Sequence, residues 1–138
     1  MNCGTVLYDK HYQFPNGETI DKLVIVVSEF GTDHLVLITT SQPKSKKKEK
    51  GCQSKDTPPS YFIPQRTSWF DKDTWIELHY IGELPDAICH QKLRDGTIVE
   101  YQNVLAPSLV REILDCALDS DFIDEFYREF LQREREKL

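Results

Sequence analysis

The chain has 138 residues, one domain's worth on the usual prior of about 100 to 200 residues per domain, which argues against a two-domain enzyme. With 39 % hydrophobic and 29 % charged residues it sits in the ordinary globular range, so collagen-like, fully disordered and membrane-spanning readings fall away. The net charge of −6 is unevenly spread: Lys44, Lys46, Lys47, Lys48, Lys50 and Lys55 against Glu49 make one short stretch +5 and leave −11 elsewhere, so an acidic chain keeps the means for local phosphate contacts.

Val6, Tyr8, Tyr12 and Phe14 fall on even positions, the pattern of a half-buried strand, with a break near Asp9-Lys10. Asn16-Gly17 supplies a hairpin turn, because both residues tolerate positive φ. Leu23–Val27 is too short and too β-branched for a helix and reads as a central strand. Phe30–Asp33 turns the chain into a second apolar strand, His34–Thr40, ending in the hydroxyls of Thr39, Thr40 and Ser41. From Gln42 to Ser60 the composition shifts to Lys, Ser, Pro and Gly, which predicts a long loop of the kind that is functional or disordered in compact domains.

Tyr61–Ile63 resumes the apolar pattern, and Thr74–Tyr80 alternates as a further strand. Pro85 in the first turn and Gly96 at the end frame a short helix, followed by a last strand at Thr97–Tyr101. Leu109, Val110, Ile113, Leu114, Ala117 and Leu118 line one face of a helix. Asp119 or Ser120 can cap a second helix whose face is Phe122, Ile123, Phe126, Tyr127, Phe130 and Leu131, either docked on its own sheet or offered to a dimer or partner. Its polar tail, Gln132–Leu138, is expected to fray. Strands followed by helices predict a mainly β fold with C-terminal helices, a small barrel or strongly bent sheet. Residues 1–118 form that unit, and 119–138 add one helix to the same domain.

The longest apolar runs fall far short of the roughly 20 residues that cross a bilayer. Met1–Gly4 begins no secretory signal, so a cytoplasmic protein is expected. Cys3, Cys52, Cys89 and Cys116 contain no close pair and are expected to stay reduced thiols. No P-loop, dinucleotide glycine pattern, zinc-protease helix or hydrolase elbow is present, and Cys89-His90 lacks metal-ligand spacing. Neither a metal nor a cofactor is expected.

The segments Gly4-Thr5-Val6, Phe14-Pro15-Asn16-Gly17, Asp21–Ser28 and Leu37–Gln42, with Phe70–Ile76 and the helix Leu109–Leu118, stand in an order that resembles the PemK/MazF family of toxins from bacterial toxin–antitoxin systems. The resemblance covers roughly residues 4 to 118. It implies an SH3-like barrel, a homodimer, metal-independent endoribonuclease activity of the mRNA interferase type on single-stranded RNA, and a cognate antitoxin that blocks the RNA groove. Such cleavage lets the ribose 2′-hydroxyl attack the neighbouring phosphate, so it needs a base, an acid and positive charge.

Where the family carries arginine before proline, this chain has Lys22-Leu23, a point charge without the bidentate fork of arginine. The family's strand-end threonine matches Thr39 or Thr40, with Ser41 beside it. A second family arginine has no counterpart in His79, Tyr80 and Gly82, and Arg66 is the candidate replacement. The expected catalytic set is therefore Lys22 with Thr39 or Thr40, and Glu18 or His79 for proton transfer. Ser41, Lys44, Lys46, Lys47, Lys48 and Arg66 are expected to hold RNA, with Tyr61, Trp69 and Phe70 as candidate stacking platforms or core residues. The rival readings are a non-catalytic protein on the same barrel, of the gyrase-inhibitor type, and an RNA-binding module without cleavage.

Overall fold

The two long apolar runs lack polar alternation because both of their faces are covered. In the computed structural model, which describes residues 1–41, 48–66, 68, 70–101 and 104–138, they lie in β2 (Thr19–Phe30) and β3 (Asp33–Thr40), paired antiparallel with Ile25 opposite Leu37. Ile25, Val27, Leu35 and Leu37 enter one apolar cluster, whereas Val24, Val26, Val36 and Ile38 enter another on the opposite face. A strand buried on both sides reads as a continuous apolar run.

Outward from this pair lie β1 (Val6–Gln13) and β7 (Ile98–Glu100) on one side, and β6 (Thr74–Pro85), β5 (Ser60–Ile63) and β4 (Gly51–Gln53) on the other. Every ladder is antiparallel. Register shifts between Asp9 and Tyr12, Val26 and Ser28, and Leu37 and Thr39 fall in three successive ladders, and such irregularities bend and coil a sheet. The first is the break expected near Asp9-Lys10. The coiling is deep. A flat sheet would hold β1 about 14 Å from β6, at roughly 4.8 Å per strand, yet the Tyr12 side chain alone reaches from β1 to the backbone of β6, its hydroxyl standing where a Cβ of Gly82 would lie and near the Tyr80 hydroxyl. Among the described residues no ladder joins β4 to β7, so the pairing establishes a coiled, mainly β sheet with C-terminal helices.

Helix α1 (Asp86–Asp95) covers one face. Pro85 stands just before its first residue, and Gly96 ends it with a left-handed φ of 82°. On the other face lie α2 (Pro107–Asp119), opened by Pro107 and burying Val110, Ile113, Leu114 and Ala117, and α3 (Glu125–Glu136). Neither Asp119 nor Ser120 caps α3. Asp124 does, accepting the Phe126 N–H at 2.9 Å, while the Ser120 hydroxyl oxygen accepts the Phe122 N–H in the connection. The expected frayed tail is helical to Glu136, because Leu131 is fully buried and Leu138 packs on the same cluster. Ile123, Tyr127, Phe130 and Leu131 of the expected apolar face dock, whereas Phe122 and Phe126 remain exposed.

The stretch 42–60 is not wholly loop. It contains β4, with Cys52 opposite Tyr61 on β5. Cys52 is disulfide-bonded to Cys116 of α2, which overturns the expectation of four free thiols and ties the edge of the sheet to the helix above it. Disulfides persist in oxidising compartments, whereas the expected cytoplasmic setting would keep thiols reduced. Cys3 and Cys89 remain thiols; burial pushes them up to about 12 and about 11, which keeps them protonated and unreactive. No helix among the described residues is long and apolar enough to cross a membrane.

Candidate functional site

Antiparallel pairing places the start of β2 beside the end of β3, which is where the sequence puts its cation and its hydroxyls. Lys22, Thr39, Thr40 and Ser41 line one cavity of about 720 Å³. The Lys22 ammonium donates to the Thr39 carbonyl at 3.3 Å. Thr39 is buried, and its hydroxyl donates to the Leu23 carbonyl at 3.0 Å. That hydroxyl ties β3 to β2, so the groups the strand end presents outward are Thr40, half-buried, and Ser41, exposed.

Four further polar lining residues were not among the expected site residues: Tyr8, Asp21, Asp71 and Lys72. The Tyr8 hydroxyl donates to Asp21 Oδ2 at 2.6 Å. This bond is the main reason the Asp21 carboxyl is held below its ordinary value and the Tyr8 hydroxyl above its own. Asp21 therefore stands ionised beside Lys22 at neutral pH. The available signals were Tyr8 on its even strand position and the charged triplet Asp71-Lys72-Asp73 ahead of β6.

Other expected residues stand elsewhere. Glu18 is exposed in the β1–β2 turn, where its N–H donates to Asn16 Oδ1, and it does not line this cavity. His79 is exposed on β6 and borders a separate hollow of about 220 Å³ with Phe122, Asp124 and Tyr127. Glu18 precedes β2, four residues before Lys22, and His79 stands three residues along β6 from Ile76, the partner of Thr39, so at roughly 3.3 Å per residue both are displaced along their strands from the cavity. Arg66 is exposed in a left-handed turn with φ of 67°, and its N–H donates to the carbonyl of Phe70, a wall residue of the cavity. Lys48 pairs with Asp73 at 3.1 Å, between the lining residues Lys72 and Thr74. Lys48 of the basic stretch thus stands beside the rim of this cavity.

Lys44, Lys46, Lys47 and Trp69 lie outside the described residues. Tyr61 and Phe70 are core residues rather than stacking platforms; Tyr8 and Tyr101 are the lining aromatics with exposed surface. Gly82 is closely packed. A Cβ there would collide with the Tyr12 hydroxyl and press on Val36, so no side chain fits while Tyr12 crosses the coiled sheet. Among the described residues no group of three or more His, Cys, Asp and Glu is placed to hold a metal ion. No family model matches the chain, and no curated protein does.

Proposed function

We propose that the chain is a toxin-like endoribonuclease that cleaves single-stranded RNA in the β2–β3 cavity without a metal. The observation that carries this reading is the meeting of Lys22, Thr40 and Ser41 with the ionised Asp21 in one cavity. Asp21 takes the proton of a ribose 2′-hydroxyl, whose oxygen forms a bond to the adjacent phosphorus. The bond from phosphorus to the 5′-oxygen breaks, and that oxygen takes a proton from the Lys72 ammonium. Lys22 offsets the charge that builds on the phosphoryl oxygens, and Thr40 and Ser41 donate hydrogen bonds to them. The products are a 2′,3′-cyclic phosphate and a 5′-hydroxyl. On this reading Asp21 is the base and Lys72 the acid in place of Glu18 or His79, neither of which lines the cavity.

The same reading takes the coiled sheet as an SH3-like barrel of the PemK/MazF type, the working unit as a homodimer, and a cognate antitoxin as the protein that covers the cavity. Gly82 favours one rival, an RNA-binding module without cleavage, since the cation that would complete the charge set has no room there. Purified protein incubated with unstructured RNA in EDTA is expected to yield cyclic-phosphate ends. Lys22→Ala and Asp21→Asn are expected to slow cleavage by about 10²-fold or more. Equal cleavage by Lys22→Ala overturns the catalytic assignment, and salt-sensitive binding of uncut RNA establishes the rival.

A further inference from the structure

A second cavity, of about 640 Å³, shares no lining residue with the first. Four aromatic rings border it: Tyr12 and Phe14 from β1 and the turn after it, Tyr80 from β6, and Tyr127 from α3. Tyr12 and Phe14 meet edge to face with centroids 5.3 Å apart, and Phe14 and Tyr80 are tilted at 6.3 Å. Tyr12 is buried, while Phe14, Tyr80 and Tyr127 are half-buried and keep ring surface accessible at the cavity, and aromatic ring faces attract cations.

The charges on the wall point the same way. Asp9 is buried and fully compensated, because Lys92 contacts both of its oxygens at 3.2 and 3.0 Å and the His11 N–H donates to Oδ1. Lys92 spends its remaining reach on the His11 carbonyl. Glu83 is the lining charge left over. Tyr127 donates to its Oε1, while Oε2 takes no hydrogen bond among the described residues.

We propose that this cavity binds a guanidinium group. A planar guanidinium can lie against a tyrosine or phenylalanine ring and donate in its own plane to Glu83 Oε2. A lysine ammonium is more strongly hydrated and lacks the planar face, and a quaternary ammonium has nothing to donate. The group can come from free arginine or from an arginine side chain of a peptide, and two probes separate those sources.

Full-length protein is titrated with free L-arginine, acetyl-arginine-amide, tetramethylammonium chloride and acetyl-leucine-amide, with NMR shifts of the Tyr12, Tyr80 and Tyr127 rings as the readout. An arginine probe is expected to shift these rings with millimolar affinity, and acetyl-leucine-amide is expected to leave them unmoved. Preference for the capped amide identifies a peptide source, and preference for the free amino acid identifies a metabolite. Glu83→Gln, an exposed and isosteric change, is expected to weaken binding about tenfold, the equivalent of about 1.4 kcal/mol. No ring shift at 10 mM of either arginine probe (roughly the weak end of useful affinities), equal response to the leucine probe, tighter binding of tetramethylammonium, or unchanged affinity in Glu83→Gln would each overturn the assignment.

Discussion

The two faces of the sheet are built differently. One is roofed by α2 and α3, which bury Ile113, Leu114 and Leu131 completely and are fastened to β4 through Cys52–Cys116. The other is roofed by α1, which buries Cys89 fully and packs Leu93 against the same cluster. The difference teaches how much core each roof builds: two helices and a covalent tie seal a row of side chains, whereas a single ten-residue helix seals one, and each face keeps a hollow at the edge of its roof, about 610 Å³ beside Cys52–Cys116 and about 640 Å³ beside α1. The polar cavity has a third origin, at the ends of β2 and β3 where the roofing elements stop.

If that contrast is right, breaking the tie has the largest effect. Reduction, or Cys116→Ser, frees a chain segment spanning a separation of 64 residues and is expected to cost about 4 kcal/mol by loop-closure entropy. Urea unfolding with and without dithiothreitol measures it, and unchanged stability would show that packing alone holds α2 on the sheet. Leu114→Ala, in the filled face, is expected to cost about 3 kcal/mol, while Leu84→Ala, at the wall of the aromatic cavity, is expected to cost about 2 kcal/mol because its surroundings are already open. Equal losses would erase the distinction between the faces.

Gly82 probes the coiling itself. Gly82→Ala is expected to destabilise by about 1–3 kcal/mol, since the new methyl meets the Tyr12 hydroxyl. Tyr12→Phe removes the colliding oxygen, so the double variant is expected to recover most of the loss in the same unfolding assay. A double variant no better than Gly82→Ala would place the strain at Val36 instead.

These particulars also mark what the sequence made legible. The strands read well where burial on both faces left unbroken apolar runs, as at Leu23–Val27, and the α1 stop read well because Gly96 carries its signal in its own residue type. Strand β4 did not, because Gly-Cys-Gln has no alternation and takes its place from the partner strand β5. The disulfide stayed hidden because the pairing of Cys52 with Cys116 is a product of the fold, not of spacing. Within the candidate site, Lys22 and Thr40 were legible because adjacent antiparallel strands bring their ends together. Asp21 was missed although it neighbours Lys22, since its importance lies in the Tyr8 hydrogen bond from another strand.

Acid sharpens the comparison least. Asp86, on α1, is held below its ordinary value chiefly by the hydrogen bond from His34, and Asp119, at the end of α2, chiefly by the bond from the Ser54 hydroxyl and then by Lys55. Each carboxyl titrates lower in the folded chain than in the unfolded one, so between those two values the unfolded state binds more protons. Stability from these groups is fully present above the unfolded value near 4 and is lost as pH falls through the folded value. Thermal unfolding followed from pH 7 to pH 2 is therefore expected to stay level with respect to these groups down to about pH 5 and to decline below it. Asp86→Asn and Asp119→Asn should each make the decline shallower. A shallower decline in Asp119→Asn alone would mean that the acid-sensitive contact belongs to the tied face, and an unchanged decline in both would locate acid sensitivity in other carboxylates, Asp21 first among them.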